Sequence, residues 1–338
     1  MMSPLIEIRN LSVVFDTPAG TLHAVNDLSY SVMPGETLGI VGESGSGKSV
    51  HVMAMLGLLS PPAARVTSGE VLFRGHDLLR LPERALRDIR GRDIGMVFQD
   101  PMSSLNPVLT VGRQIREVLQ RHTGINRPQA NARAAELLEL VGIPDPAGRL
   151  SHYPHEFSGG MRQRVMIAIG LACNPALLIA DEATTALDVT MQAQVIDLIR
   201  DIRQRFGTTV IWITHDMGVV AELADTIQVM YAGRIMERGP ISPVFHDPRS
   251  AYTWGLLRCM PGALPDNGRQ RLYQIPGSPP NMVYPPSGDP FAPRNRFATE
   301  RCHRTVPPLR QTPGGAPGHM VAAWYDLPEI LATHPELH

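Results

Sequence analysis

The sequence lacks most features that mark secreted, membrane-spanning or nucleic-acid-binding proteins. It has three cysteines in 338 residues, too widely spaced for a disulfide framework, which is typical of a reducing compartment. Its formal net charge is −1, so the chain as a whole has no electrostatic attraction for nucleic acid or anionic lipid. The first residues, MMSPLIEIRN, contain no basic segment followed by an apolar one, and we expect no signal peptide.

A hydrophobic run long enough to span a membrane is also missing. The longest apolar stretch, Val165–Ala180, is interrupted by Asn174-Pro175, and this pattern predicts a buried helix, a break and a buried strand. We therefore expect any work at a membrane to depend on a partner. Hydrophobic residues make up 43% of the chain, which is enough for a sizeable core. The length predicts one large domain with an appendage, or two domains.

The most informative segment is GESGSGKS, which fits the phosphate-binding pattern G-x-x-x-x-G-K-[ST] at Gly42–Ser49. An apolar run, Leu38–Val41, precedes it, and a segment compatible with a helix, Val50–Leu56, follows it. Glycine lets the backbone approach a phosphate closely, and N–H groups at a helix start attract its charge. In this pattern Lys48 reaches the β- and γ-phosphates and the Ser49 hydroxyl binds Mg²⁺. The predicted ATP-binding residues of this P-loop are Gly42, Glu43, Ser44, Gly45, Ser46, Gly47, Lys48 and Ser49.

Apolar strands alternate with helical segments as far as Gly239. A strand is predicted at 176–182, an amphipathic helix at Met191–Phe206 and another strand at 208–214. A further helix is predicted to begin at Met161, and a short strand at Gly69–Gly75. This alternation predicts an α/β fold with a largely parallel sheet, in which ligands bind at the carboxyl ends of the strands.

Four polar side chains end predicted strands at that edge. Asp181 and Glu182 end one strand: a carboxylate beside a P-loop is suited to hold Mg²⁺, and the next one can orient an attacking water. Gln99 and His215 end two others, where Gln99 could bridge metal and water and His215 could hydrogen-bond a γ-phosphate. Each of these two, taken alone, is a weak signal. The predicted catalytic residues are Glu182, His215 and Gln99, and the predicted magnesium ligands are Ser49, Gln99 and Asp181.

The composition changes near Gly239. Eighteen of the 31 prolines fall between Pro240 and Pro335, and pairs such as Pro279-Pro280 break any long regular element. This pattern predicts a boundary near residues 240–260, followed by a small, loop-rich appendage.

A second anion-binding helix N-terminus is predicted where Ser158, Gly159 and Gly160 precede a helix. The surrounding segment, EFSGGMRQR, resembles the signature motif of the nucleotide-binding subunits of ABC transporters. Longer segments resemble the oligopeptide/dipeptide importer subfamily, and the resemblance covers essentially the whole chain. These segments are Asp93–Pro107, Tyr153–Ala168, Ala180–Thr190, Ile275–Asn281 and Gly288–Cys302.

The resemblance implies a P-loop NTPase of the ABC type, with a RecA-like core, an antiparallel β subdomain, a helical signature subdomain and a small loop-rich C-terminal extension. It implies an ATP-binding domain at residues 1–255, with the helical subdomain at about 100–172, and the extension at 256–338. It assigns Phe15 to stacking on adenine, although the sequence alone favours a core phenylalanine. It assigns Asp188 to the D-loop at a dimer interface. The signature residues that would face the ATP of the opposing subunit are Phe157, Ser158, Gly159, Gly160 and Met161.

Two departures from the subfamily are visible. Ala183 follows Glu182 where relatives have proline, so the loop lacks a fixed φ angle, and we expect slightly altered activity. Relatives also carry four cysteines in the extension, a set suited to an iron–sulfur cluster. Here only Cys302 remains, since Asp289, Asn295 and Ala323 stand at the other three positions. We therefore expect no cluster.

The resemblance also implies cofactors and partners. It implies an ATPase that uses ATP and Mg²⁺ to drive oligopeptide or dipeptide import from the cytoplasmic face of the inner membrane. The implied partners are a second ATPase subunit, identical or related, in a head-to-tail dimer; two transmembrane permease subunits, facing segment 100–107; and an extracytoplasmic peptide-binding protein. Nucleic acid is not among them.

Two other functions stay open. An importer ATPase for another small solute, such as nickel, would have a similar sequence because this subunit does not touch the cargo. A non-transport ABC ATPase acting on DNA or ribosomes is the other alternative. The single P-loop and the lack of a heptad run argue against it.

Overall fold

The computed structural model describes residues 3–185, 187–260 and 273–333. Over these residues the strands are β1 (Ile6–Thr17), β2 (Gly20–Val32), β3 (Thr37–Val41), β4 (Ala64–Phe73), β5 (His76–Asp77), β6 (Ile94–Val97), β7 (Leu177–Asp181), β8 (Thr209–Ile213), β9 (Thr226–Tyr231), β10 (Arg234–Pro240), β11 (Arg310–Gln311) and β12 (Met320–Val321).

The α-helices in the same ranges are α1 (Lys48–Met55), α2 (Glu83–Ile89), α3 (Pro101–Ser104), α4 (Val111–Thr123), α5 (Arg127–Leu140), α6 (Pro146–Arg149), α7 (Gly159–Gly170), α8 (Val189–Phe206), α9 (Met217–Leu223), α10 (Ile241–His246), α11 (Ala251–Arg258), α12 (Glu300–Arg304) and α13 (Leu327–Ala332). Short 3-10 segments occur at Leu78–Arg80, Pro154–Glu156 and Ala292–Arg294. No helix in these ranges combines the length and the apolar character needed to cross a bilayer.

Two compact units make up the chain, and each is assembled from separated segments. The first contains Met1–Leu5, Val32–Thr37 and Arg80–Thr214. The second contains Ile6–Ser31, Leu38–Leu79 and His215–His338. The division into an ATP-binding domain at 1–255 and an extension at 256–338 stays a prediction.

The first unit is built on parallel strands flanked by helices. Strand β7 pairs in parallel with β6 and with β8, so that Leu177 lies opposite both Ile94 and Thr209. Every residue of β7 and β8 is buried, as expected of parallel strands with both faces covered. The α/β architecture predicted from the sequence is confirmed.

Side-chain caps begin several helices of the first unit. Helix α5 begins with a capping box in which Asn126 and Gln129 bond each other's backbone N–H groups. Helix α7 begins at Gly159, two residues earlier than predicted. The prediction missed this start because glycine is a poor helix former, whereas the Ser158 side chain accepts the Met161 N–H at 3.3 Å and caps the first turn.

The second unit contains an antiparallel sheet with the order β2-β1-β4-β5. Strand β4 begins at Ala64, five residues before the predicted start at Gly69, because it continues alongside β1 until Phe15 lies opposite Ala64. The register shifts between Arg9 and Val13, as in a β-bulge. Tertiary pairing therefore lengthens a strand that local sequence signals would end.

A second group of strands in this unit leads into the C-terminal segment. Strand β3 pairs in parallel with β9, and β9 forms an antiparallel hairpin with β10. Strand β12 pairs with β10, and β11 pairs with β12. Three aromatic rings, Tyr231, Tyr252 and Phe291, pack with centroids 4.7 to 5.4 Å apart. Beyond Pro240 the described elements are short, as the proline pattern predicts.

Candidate nucleotide site

The P-loop of the second unit connects β3, which ends at Val41, to α1, which begins at Lys48. Gly42 and Gly47 have φ angles of 155° and 93°. A Cβ at Gly42 would lie 2.1 Å from the Met230 carbonyl oxygen, and one at Gly47 would lie 2.6 Å from that of Ala24. Only glycine fits these two positions.

Lys48 organises the interior of this loop. Its side chain is buried, and its Nζ donates to the carbonyl oxygens of Gly42 at 2.7 Å and Glu43 at 3.0 Å. A Cβ at Gly45 would meet nothing within 4 Å, so this side of the loop is open to an approaching group. A loop curled around an amine, with glycine on its open side, fits the triphosphate of ATP. Ser49 is the second residue of α1.

A buried histidine anchors the base of the loop. The His51 Nδ1–H donates to the Gly47 carbonyl oxygen at 3.2 Å, since a carbonyl can only accept. Nε2 of the neutral ring then accepts from the Tyr30 hydroxyl at 3.0 Å. Burial lowers the pKa of His51 to about 4, so this ring is neutral near pH 7 and holds the start of α1 without adding a charge.

The other two predicted residues of the second unit lie at its surface. Phe15 is half-buried in β1, between buried Val14 and exposed Asp16, so it is not a core residue. His215 is exposed and directly precedes Asp216, whose carboxylate accepts the N–H groups at the start of α9. Both side chains are thus accessible to a ligand.

The first unit brings Gln99 and Glu182 together. Gln99 Nε2 donates to Glu182 Oε2 at 2.9 Å, and the Thr185 hydroxyl donates to the same oxygen at 3.2 Å. Asp181, the last residue of β7, is buried. Gln99 was predicted to end its strand. In the structure β6 ends at Val97, and Gln99 lies two residues beyond it. The pairing joins residues 83 positions apart, which no local pattern could indicate.

Glu182 has a left-handed backbone with a φ angle of 49°. Its N–H donates to the Ile213 carbonyl oxygen at 2.9 Å, which holds the residue in place. This conformation costs a non-glycine residue about 1 kcal/mol or more, and such residues cluster at functional sites. The structure therefore holds this carboxylate in a fixed position after β7.

The predicted signature residues form the start of α7. Ser158 and Gly159 are exposed, Met161 is partly buried and Gly160 is buried. Phe157 is buried, with the guanidinium carbon of Arg149 5.6 Å from its ring centroid, so its side chain packs within the unit. An exposed surface for an anion is provided by the capped helix N-terminus at Ser158 and Gly159.

The predicted D-loop residue also caps a helix. Asp188 accepts the Met191 N–H at 2.9 Å and starts α8. The neighbouring Val189 is 84% exposed.

The three predicted magnesium ligands include only one carboxylate. Ser49, Gln99 and Asp181 offer a hydroxyl, an amide and a carboxylate. Among the described residues, no group of three or more histidine, cysteine, aspartate or glutamate side chains is placed to hold a metal ion. Each of these groups has an oxygen of the kind that Mg²⁺ prefers, and Mg²⁺ commonly takes only one or two protein ligands beside phosphates and water.

The positions of the subfamily cysteines do not fit an iron–sulfur cluster. Cys302 is buried, with the Thr299 hydroxyl 3.4 Å from its sulfur. Asp289, Asn295 and Ala323 are also buried, and they offer a carboxyl, an amide and a methyl group instead of thiolates. Burial raises the pKa of Asp289 to about 6.

Sequence reasoning missed two residues that contact the P-loop. The Glu43 N–H donates to the Tyr252 hydroxyl at 2.9 Å, and the Glu43 carboxylate accepts hydrogen bonds from Arg294. The two partners are 209 and 251 positions away. No spacing signal connects them to the loop.

Comparison with known protein families matches two regions of the chain. The family described as ABC transporter matches residues 25–185. The family described as oligopeptide/dipeptide transporter, C-terminal region, matches residues 236–302.

Similar proteins span nearly the full length. The oligopeptide transport ATP-binding protein OppD of Bacillus subtilis is 49% identical over 331 residues, covering 98% of this chain and 91% of its own. The dipeptide transport ATP-binding protein DppD of the same organism is 50% identical over 308 residues, covering 90% and 91%. Among solved structures, the chain is similar to the ATP-binding cassette MJ0796, a dimer in a post-hydrolysis state bound to ADP and Pi. The two chains are 28% identical in sequence with a TM-score of 0.63, and the match covers 70% of this chain and 98% of the MJ0796 chain.

The chain belongs to the ATP-binding subunits of ABC transporters, which are ATPases. Within that family it carries the C-terminal region of the oligopeptide/dipeptide transporters. The resemblance inferred from the motifs is confirmed, as is the P-loop NTPase fold.

Proposed function

We propose that this protein is the ATP-hydrolysing subunit of an importer for oligopeptides or dipeptides. The observation that carries this proposal is the likeness to peptide transport ATP-binding proteins across 98% of the chain, including the C-terminal region at 236–302. The geometry of the P-loop and of the Glu182 carboxylate supports the ATPase part.

The residues of each unit would have distinct tasks in this reaction. Lys48 and the P-loop N–H groups would hold the phosphates, and Phe15 would stack on adenine. Bound with the nucleotide, Mg²⁺ would neutralise charge on the phosphates, with Ser49, Gln99 and Asp181 as its protein-side partners. Glu182, oriented by Gln99, would accept a proton from the attacking water. His215 would contact the γ-phosphate.

A dimer with a second ATPase subunit, identical or related, would complete the site. The exposed Ser158 and Gly159 at the start of α7 would bind the γ-phosphate held by the opposing P-loop. Phe157 would support this surface from within the unit, and Gly160 and Met161 would continue it. Asp188, the D-loop residue by the family resemblance, and the exposed Val189 beside it would lie at the dimer interface.

Two permease subunits would dock on the segment after Gln99. Met102 is 62% exposed and Val108 is 75% exposed, an apolar pair that a membrane partner would cover. The subunit would thus act at the cytoplasmic face of the inner membrane, with an extracytoplasmic peptide-binding protein supplying the cargo.

The test is a pull-down of tagged protein from detergent-solubilised native membranes, analysed by mass spectrometry. We expect two multi-span proteins, a second ATPase and a peptide-binding protein. Val108→Asp should lose the multi-span proteins, whereas Tyr284→Asp, an equally exposed control at 75%, should retain them. Recovery of ribosomal proteins or nucleic-acid factors without any permease would overturn the proposal. Recovery of a metal-binding protein instead of a peptide-binding protein would show that the cargo is not a peptide.

A further inference from the structure

One P-loop residue is held by the C-terminal region at both its backbone and its side chain. The Glu43 N–H donates to the hydroxyl of Tyr252, a fully buried residue. The Glu43 carboxylate accepts two hydrogen bonds from Arg294, at 2.7 Å from Nη1 and 3.0 Å from Nη2. Tyr252 and Arg294 both lie within the matched transporter C-terminal region at 236–302.

The Arg294 guanidinium is fixed on every side. Its side chain is only 6% exposed. Nε donates to the Pro276 carbonyl oxygen at 2.8 Å, and Nη1 also donates to the Tyr231 hydroxyl at 3.0 Å. Its central carbon lies 5.6 and 5.8 Å from the ring centroids of Tyr231 and Phe291. A planar cation held by several acceptors and placed against aromatic rings has little freedom, so it can fix the position of its carboxylate partner.

Burial opposes the charge of Arg294, but the hydrogen bonds to Glu43 and Tyr231 outweigh this effect, and the pKa of Arg294 shifts upward. Arg294 therefore stays charged beside the Glu43 carboxylate. Because the arginine is buried, added salt screens this pair less than an exposed pair.

Glu43 connects this arginine to the phosphate-binding lysine. Its carbonyl oxygen accepts a hydrogen bond from Lys48 Nζ at 3.0 Å and another from the Ser46 N–H at 3.2 Å. The same residue is thus held by Arg294 through its side chain and contacts the Lys48 amine through its backbone. Any shift of Glu43 would move the carbonyl that positions this amine.

We propose that Arg294 is a positioning residue for the P-loop, through which the C-terminal region sets the affinity for ATP. The inference rests on the proposed binding of ATP at this loop. It assigns the C-terminal region a task at the nucleotide site, in addition to any contact that this region makes with a transporter partner. Small displacements of positioned groups commonly cost large factors in binding or rate.

The experiment measures ATP binding and steady-state hydrolysis of the full-length protein with Arg294→Gln, Glu43→Gln and the double variant. We expect each single variant to raise the KM and Kd for ATP about 5- to 10-fold, with kcat within about twofold, because a buried charge-assisted pair is lost. The double variant should bind ATP no more weakly than the weaker-binding single variant, since the two substitutions remove the same interaction. Arg294→Lys keeps the charge without the planar fork and should recover part of the affinity.

The matched control is Arg249→Gln, which removes another largely buried arginine of the same unit, ion-paired with Asp247. It should lower the melting temperature with an unchanged KM for ATP. Glu43 is 26% exposed, so Glu43→Gln tests the pair even if Arg294→Gln does not fold.

Three outcomes would overturn the inference. They are an unchanged KM in both single variants, an Arg294→Gln variant that is less stable but binds ATP normally, and strictly multiplicative losses in the double variant. Lys48→Ala distinguishes a failure of the proposed function. If wild-type protein binds ATP and Lys48→Ala abolishes binding while Arg294→Gln does not alter it, only the positioning role is wrong.

Discussion

Replacing Glu182 by glutamine should stop turnover while leaving the structure intact. Gln99 and Thr185 both donate to the same oxygen, Oε2, at 2.9 and 3.2 Å. A glutamine side-chain carbonyl can accept both of these hydrogen bonds. The substitution therefore removes the charge and the proton-accepting ability of the side chain but none of its described hydrogen bonds.

The expected magnitudes follow from this geometry. The free energy of unfolding should change by less than about 0.5 kcal/mol, because glutamine keeps the shape of the side chain and can accept both described hydrogen bonds. Turnover should fall by about 10²- to 10⁴-fold, the usual contribution of a positioned general base, which corresponds to about 3 to 5 kcal/mol of transition-state stabilisation. ATP binding should persist, so a dimer with trapped ATP should accumulate.

The assay is phosphate release from the purified protein and from the complex co-purified with its membrane partners, with dimerisation followed by light scattering. Glu139→Gln, on an exposed face of α5, is the control and should behave as wild type. Turnover of the Glu182→Gln variant within about threefold of wild type, with correct folding, would refute the role of Glu182 as base.

Three further predictions concern pH and the loop after β7. The neutral, buried His51 has a pKa of about 4, whereas the unfolded chain takes up this proton near pH 6.5. The free energy of unfolding should therefore fall as the pH drops from 6.5 to 4, by up to about 3 kcal/mol, and His51→Gln should flatten this slope in urea titrations. Asp289, with its pKa raised to about 6, costs stability as the pH rises from about 4 to 6. Asp289→Asn should therefore raise the free energy of unfolding above pH 6 by up to about 3 kcal/mol, with no gain below pH 4. Ala183→Pro should alter ATP turnover slightly, by about twofold, because it fixes φ beside Glu182.

Each of these predictions has a clear contradicting result. The same pH slope in wild type and His51→Gln would show that His51 is not protonated on unfolding in this range. A gain for Asp289→Asn that persists at pH 3.5, or that the exposed control Asp201→Asn shares, would remove desolvation of Asp289 as its cause. Unchanged phosphate release in Ala183→Pro would show that the proline of relatives has no kinetic effect here.

Local patterns in the sequence were sufficient for the fold class and for the position of the P-loop. The P-loop at Gly42–Ser49 could be predicted because its function depends on consecutive backbone groups. Buried parallel strands such as β7 could be predicted because an uninterrupted apolar run needs cover on both faces. Element boundaries were less predictable: α7 starts at its glycines because a side-chain cap outweighs their low helix propensity.

The tertiary structure alone decided which distant residues meet. The Gln99–Glu182 hydrogen bond depends on the parallel pairing of β6 with β7, and the left-handed backbone of Glu182 is held by a hydrogen bond to a neighbouring strand. The contacts of Glu43 with Tyr252 and Arg294 depend on the packing of the C-terminal aromatic rings against the strand that ends at Tyr231. Such contacts arise when whole helices and strands pack together, so they cannot be predicted from a residue's immediate neighbours in the sequence.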